Sequence, residues 1–248
     1  MSSPQTPTSG DSHRRIIIVV VAALASAVLL LFVGIFAYQG GVSQQNAQAG
    51  QETQSSSGSS ETGLDVARRI ADDPTALGDV DAPVVMIEYA DYRCPFCGLF
   101  ARDTLPPLVD KYVESGDLRI EWRDLPVFGD ESFAAAVAGR AAGEQGLFWE
   151  FNKAVFDIAP ERGHAELPRE RLLEIAAEIG VPDMAKFEAD LDSEKLEQAV
   201  TTDAQEAATL GATGTPTFLV NDTPFVGAQP LATFEEAIDA ALEQAESS

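Results

Sequence analysis

Val84-Val85-Met86-Ile87-Glu88-Tyr89-Ala90-Asp91-Tyr92-Arg93-Cys94-Pro95-Phe96-Cys97 decides the fold of this chain. Val84–Ala90 is apolar on both faces, as a strand buried at the centre of a sheet should be. The residues from Pro95 onward, through Gly98, Leu99, Phe100 and Leu105, read as a helix. Cys94 and Cys97 sit where strand passes into helix, and they are the only two cysteines in 248 residues. A disulfide needs its α-carbons about 4.4–6.8 Å apart. Two cysteines flanking the first turn of a helix meet that limit without distorting the chain. A CxxC between strand and helix is the sequence mark of a thiol–disulfide redox site.

The two thiols are not equivalent. Proline is favoured at the first helical position, so Pro95 puts Cys94 at the N-cap and Cys97 at N3. The Cys94 sulfur then faces the unpaired N–H groups of the first turn and the positive end of the helix dipole. Both favour thiolate over thiol, which makes Cys94 the nucleophile and the more buried Cys97 the resolving thiol. A purely structural disulfide is the bland alternative, but a two-residue loop constrains the unfolded chain very little. Metal binding lacks ligands: His13 and His164 are the only histidines, too few for a four-ligand Cys/His zinc site. Glu88 is the oddity of the strand. Buried, its carboxyl would hold its proton above the usual range and could exchange it with Cys97. It could equally reach solvent or pair with a buried arginine.

Upstream, residues 16–38 carry no charge. As a helix they would span about 34 Å at ~1.5 Å per residue, enough for a bilayer core of ~30 Å. Arg14 and Arg15 lie on the N-terminal side, and no further Lys or Arg follows until Arg68. The positive-inside rule makes residues 1–15 a cytoplasmic tail and places everything beyond the anchor outside. A cleaved signal peptide is the alternative, with Ala47-Gln48-Ala49 as the cleavage-type motif, but the apolar run exceeds the ~7–15 residues of a signal core. Residues 39–63, rich in Gln, Ser and Gly, read as a flexible linker with a reach of roughly 25–30 Å. The folded domain is expected over 64–248.

Within it, Leu64–Ala71 suggests a short helix and Asp79–Pro83 a loop. The helix from Pro95 extends to about Glu114, with Pro106-Pro107 expected to kink it or break it in two. Ser115-Gly116-Asp117 turns the chain. Leu118–Arg123 alternates apolar with charged residues, the pattern of a half-exposed strand. A helical insertion follows over about 131–210, in segments Ser132–Gly143, Gly146–Ile158, Arg169–Ile179, Asp183–Leu191 and Ser193–Leu210. Gly143, Gly180 and Gly211 stand where C-caps are expected. Thr217–Val220 and Pro224–Gly227 read as a hairpin turned at Asn221-Asp222, and Ala232–Ala245 as a closing amphipathic helix. The net charge of −24 argues against nucleic acid or an anionic lipid surface as partner.

The whole arrangement resembles the DsbA-like branch of the thioredoxin superfamily, and within it the membrane-anchored thiol–disulfide oxidoreductases of bacteria. The resemblance is carried by Glu88 through Cys97, by Phe148-Trp149-Glu150, by Gly214-Thr215-Pro216-Thr217-Phe218 and by Gly227-Ala228-Gln229-Pro230. It covers about residues 75–246. It implies an α/β thioredoxin fold with a helical insertion, preceded here by the transmembrane helix. It implies a cis peptide before Pro216, where local sequence alone expects trans, lying against the cysteines, with Thr215 offering its backbone to a bound peptide. Pro95 and Phe96 would line the same peptide site, and Glu88 would be the proton-transfer group. The activity implied is an extracytoplasmic thiol–disulfide oxidoreductase, a monomer without cofactor. It would act on unfolded or reduced proteins and pass electrons to a quinone-linked membrane oxidase. Two departures stand out. Phe96 replaces the histidine of strongly oxidising members, and Thr215 replaces a valine. A reductase or isomerase with opposite electron flow, and a non-catalytic chaperone-like binding module, are the alternatives.

Overall fold

The computed structural model describes residues 66–247. The expected tail 1–15, anchor 16–38 and linker 39–63 lie outside the described residues. Five strands form one sheet: β1 (Ala76–Leu77), β2 (Val84–Ala90), β3 (Leu118–Asp124), β4 (Thr217–Val220) and β5 (Thr223–Val226), in the order β1-β3-β2-β4-β5. β2 and β3 are parallel, with Glu88 opposite Trp122, while the other pairs are antiparallel. The crossover between β2 and β3 is a continuous helical run over 95–113, called α1. The insertion holds α2 (Asp130–Gly143), α3 (Phe148–Asp157), α4 (Arg169–Glu178), α5 (Met184–Asp190) and α6 (Glu194–Thr209). The chain closes with α7 (Leu231–Glu246). This is a mixed α/β thioredoxin-like fold with a helical insertion between β3 and β4.

Period-2 geometry sorts the side chains of β2. Val84 and Met86 face α1 and α7, where Phe100, Phe218 and Phe234 meet with ring centroids 4.5–5.2 Å apart. Val85, Ile87 and Tyr89 face the other side and pack with Ala207 of α6. A third apolar cluster joins the insertion to the end of the sheet: Tyr92 lies between Trp122, Phe151 and Phe156. The hairpin turns on two residues, with Asn221 at φ 50°, a conformation asparagine tolerates.

Four local expectations need correction. Residues 66–70 form no helix. Instead the backbone N–H groups of Arg68 and Arg69 donate to the Glu121 carboxylate at 3.0 and 2.9 Å, which fixes the segment in an irregular path. β3 is not half-exposed: all seven of its residues are buried. Its charged side turns inward because Glu121 is paired with Arg119 at 2.9 Å and with Arg123 at 2.6 Å, and Arg123 reaches Glu206 of α6 at 3.2 Å. Alternation marks two faces, and here both are covered.

Pro106-Pro107 does not break α1. In an α-register the two rings would press on the carbonyls of Arg102 and Asp103, and neither proline can donate an N–H. The run instead passes through π-helical turns at Phe100–Thr104 and Val109–Val113. Leu105 N–H bonds to Phe100 O and Glu114 N–H to Val109 O, five residues back. The wider turn carries one extra residue and relieves the clash. Gly143, finally, is the last helical residue of α2, and the left-handed residue comes later, at Gly146 with φ 77°.

Candidate active site

β2 ends at Ala90 and a three-residue turn delivers Cys94, whose N–H bonds to Asp91 O at 3.0 Å. Cys94 has extended backbone angles (φ −76°, ψ 120°), and Pro95 opens the helix. Cys94 is thus the N-cap residue, and Gly98 N–H closes the first turn on its carbonyl at 3.1 Å. Both cysteines are free thiols and both are buried, at 1% and 0% exposure. On surface exposure alone the two thiols are nearly alike. Their acidities separate them.

The Cys94 thiol is lowered to about 6. The largest cause is a hydrogen bond from the Cys97 thiol. Burial opposes it, and the Thr215 hydroxyl and the N–H groups of Cys97 and Phe96 add to it. Those N–H groups act on the sulfur without a capping bond of regular geometry. Burial pushes the Cys97 thiol well above its usual range, and the neighbouring Cys94 and Glu88 charges push the same way. At neutral pH the arrangement therefore holds one thiolate, on Cys94, supported by a protonated Cys97.

The second half of the site comes from about 120 residues downstream. The Thr215–Pro216 peptide is cis. As a thiol, Cys94 donates to Thr215 O at 3.3 Å. Gly227 N–H, just past β5, holds Pro216 O at 2.8 Å, so the hairpin fixes the loop against the cysteines. The Thr215 hydroxyl is buried with no hydrogen-bond partner of regular geometry. Phe96 is 59% exposed and Pro95 half-buried, so the dipeptide between the cysteines forms part of the surface around them.

Glu88 lies beneath the pair at 1% exposure. Burial, helped by the Cys94 charge, raises its carboxyl to about 8. It does not reach solvent and takes part in no ion pair among the described residues, and its Oε1 has no hydrogen-bond partner. The structure thus brings Cys94, Cys97, Glu88, Thr215, Pro216, Pro95 and Phe96 to one place. Two neighbours escaped the reading of the sequence. Asp91 accepts N–H groups from three residues, and Arg93 bonds to Phe128 O at 2.8 Å and Ala165 O at 2.7 Å. Arg93 directly precedes Cys94, but its guanidinium is engaged by the insertion and by the loop after β3.

A CxxC at a helix N-terminus facing a cis-proline loop has counterparts in known proteins. A thioredoxin family profile matches residues 71–240. The chain belongs to the thioredoxin family. It is 30% identical over 149 residues to the probable disulfide bond formation protein D of Bacillus anthracis, covering 59% of this chain and 69% of that one. Among solved structures it resembles BdbD from Bacillus subtilis in its oxidised form (TM-score 0.64, 25% identity, 68% of this chain and 92% of that chain). It also resembles α-DsbA1 of Wolbachia pipientis (TM-score 0.63, 28% identity, 70% and 92%). The chain is therefore a DsbA-like thiol–disulfide oxidoreductase, an enzyme of this thioredoxin-fold group. It also matches the Na(+)/H(+) antiporter NhaA 1 of Mycobacterium sp., at 33% identity over 167 residues, but spans only 26% of that chain. That likeness is to a part of the antiporter, so the transport activity in its name does not carry over to this chain.

Proposed function

We propose that this thioredoxin-family enzyme is an extracytoplasmic, membrane-anchored oxidase that forms disulfides in reduced, unfolded polypeptides. The observation that supports this reading is the placement of Cys94 at the N-cap of α1 against the cis Thr215–Pro216 loop, with its thiol lowered to about 6. A stabilised thiolate stabilises the dithiol form, and that makes the disulfide form a stronger oxidant. In the proposed reaction a substrate thiolate attacks the Cys94 sulfur of the Cys94–Cys97 disulfide. Cys97 leaves with the electron pair and takes a proton, for which the buried Glu88 carboxyl, raised to about 8, would be the donor. The substrate's second thiolate then attacks its own mixed-disulfide sulfur and expels Cys94. Two electrons have passed from two substrate thiols to the enzyme. A quinone-linked membrane oxidase would accept them, and the anchor at 16–38 would keep the domain within reach of it.

The surroundings of the pair suit a polypeptide better than a small molecule. Phe96 and Leu99 on α1, Ile158 after α3 and Val226 on β5 are all exposed. Phe96 and Leu99 share the first turns of α1 with Cys97, and Val226 is paired with Thr217 beside the cis-proline loop, so exposed apolar residues adjoin the elements that carry the site. Two cavities, of about 230 and 160 Å³, are not lined by a cysteine, and the smaller borders the cis-proline loop through Gly214, Thr217 and Val226. Thr215 would pair its backbone with the bound chain.

The reduction potential tests the direction. A value near −120 mV fits an oxidase, and one near −270 mV, as in thioredoxin, would sink it. A specific observation favours the reverse flow as the second reading: Phe96 carries no charge or hydrogen-bond donor for the Cys94 thiolate, unlike the histidine expected at that position in strong oxidants.

A further inference from the structure

The smaller cavity, of about 160 Å³, lies against the cis-proline loop. Its floor is one face of the sheet. Tyr89 of β2 pairs with Thr217, Thr217 with Val226 and Leu219 with Pro224, and cross-strand partners share a face. Its roof is the 210–214 loop. α6 ends at a left-handed Gly211, φ 77°, and Ala212 N–H bonds back to Ala207 O at 2.9 Å, which turns the chain across the sheet. A Cβ on Gly211 or Gly214 would meet nothing within 4 Å, so the roof leaves room. Among the described residues no charged side chain lines the cavity. Its two sheet-side hydroxyls are already used: Tyr89 donates to Glu206 at 2.7 Å and Thr217 to Gly214 O at 2.7 Å. What a ligand would meet is chiefly apolar surface.

We propose that this cavity is a specificity subsite that takes an apolar side chain of the bound polypeptide, two residues away from the reacting cysteine. The inference rests on the reading of Thr215–Pro216 as the loop along which a substrate chain lies. Thr215 O is 3.3 Å from the Cys94 sulfur. Gly214 is the next residue back, so covalent geometry puts its α-carbon within about 10 Å of that sulfur. A substrate cysteine bonded to Cys94 points its side chain at the enzyme. In an extended chain, residues two positions away lie roughly 6.5–7 Å along and point the same way, while immediate neighbours point outward. The size suits one side chain: a cavity of ~150 Å³ holds a benzene-sized group, whereas sites for whole small ligands start near ~300 Å³. Val226 is exposed and also lines the cavity, so it offers an arriving apolar side chain its first contact.

The test uses the full chain in its disulfide form and blocked peptides of two registers, Gly-X-Gly-Cys-Gly-X-Gly and Gly-Gly-X-Cys-X-Gly-Gly, identical in composition. One peptide thiolate attacks the Cys94 sulfur and Cys97 leaves with the electron pair. A second attacks the peptide sulfur of the mixed disulfide and expels Cys94, so two peptide thiols become one disulfide as the enzyme gains two electrons. Acid quenching and mass spectrometry follow the reduction. Each rate is divided by the same peptide's rate with 2-hydroxyethyl disulfide, which removes differences in thiol reactivity. With X leucine, the first register should react about tenfold faster than the second, the scale of burying one aliphatic side chain. With X serine the two should be equal. Val226→Asp puts a carboxylate at the mouth, and an exposed position spares the fold. In that variant the leucine ratio should shrink and the lysine ratio should rise. Equal leucine rates in the two registers would overturn the proposal, as would a leucine ratio that Val226→Asp leaves unmoved. If every peptide and 2-mercaptoethanol reduce the enzyme but register makes no difference, the subsite alone has failed. If none of them reduces it, the exchange reading of the cysteines has failed and the subsite with it.

Discussion

Glu88 is a cost to the fold at neutral pH. Its carboxyl, raised to about 8 from an ordinary 4.5, keeps its proton in the folded protein where the unfolded chain has lost it. Stability therefore falls as pH climbs from about 4.5 to about 8. Cys94 works the opposite way. Lowered from 9.0 to about 6, it adds stability to the dithiol form as pH rises between those values. The clean comparison is between wild type and Glu88→Gln in the same redox state. The variant should be more stable at pH 8 by about 1–3 kcal/mol and no more stable at pH 4.5, measured by urea unfolding. An equal difference at both pH values would show that Glu88 is not protonated in the fold. Glu88 was legible in the sequence as a carboxylate inside an apolar run. Asp91 was not. It looked like any polar turn residue, and its meaning lies in the N–H groups of Val127 and Phe128, some 36 positions away.

Among the elements, α2 shows how packing overrides propensity. Gly139 lies inside that helix, where alanine is ordinarily better by about 1 kcal/mol. A Cβ there would stand 2.4 Å from Tyr92 Oη and 3.0 Å from its ring carbon Cζ. Tyr92 cannot yield, since it is wedged between Trp122 and Phe156 at 5.1 and 5.4 Å. Gly139→Ala is expected to lower stability by about 1–3 kcal/mol through overpacking. Loss of chemical-denaturation midpoint without loss of helical content would bear this out, and a stabilised variant would refute it. The elements differ in how far they could be read from sequence. β2 was plain because burial on both faces leaves an unbroken apolar run. The five insertion helices were plain because of their helical spacing, to which Gly180 and Gly211 added stops after α4 and α6. β3 misled because Glu121 is paired with Arg119 and Arg123 of the same strand, and the backbone of Arg68 and the carboxylate of Glu206, far away in the chain, complete the pairing. α1 misled because a single-sequence rule for proline does not foresee π turns.

Across the molecule, a buried network joins the insertion to the sheet and to the first described residues. Arg140 of α2 bonds to Asp124 at 2.5 Å and also to Asp203, Arg68 bonds to Asp203 and Glu206 at 2.7 Å, and Arg123 links Glu206 to Glu121. Replacing a buried cation by an apolar residue strands its carboxylates. Arg140→Met is expected to cost about 3–5 kcal/mol at neutral pH. Burial already raises the Asp124 carboxyl, so acid should protonate it and shrink the loss. Urea unfolding at pH 7 and pH 4.5 checks this, and an undiminished loss in acid would contradict it. Glu121 sets the opposite flank. Burial pushes it up, but bonds from Arg68, Arg119, Arg123 and Arg69 prevail and hold it at about 2. Its contribution is complete above about 4.5 and is lost only as pH falls towards 2.

The network also decides what an approaching molecule meets. Arg68, Arg119, Arg123 and Arg140 are balanced by Glu121, Asp124, Asp203 and Glu206. The net charge of −24 therefore belongs to the rest of the chain. Collision with a reactant should depend on its own sign and on the ionic atmosphere. A cationic thiol such as cysteamine should reduce the disulfide form faster than an anionic one such as 2-mercaptoethanesulfonate at low ionic strength. The gap should close as added salt shortens the Debye length from about 30 Å at 0.01 M to about 3 Å at 1 M. The network is neutral in itself, so the whole excess of carboxylates lies outside it and the enzyme meets its reactants as a polyanion.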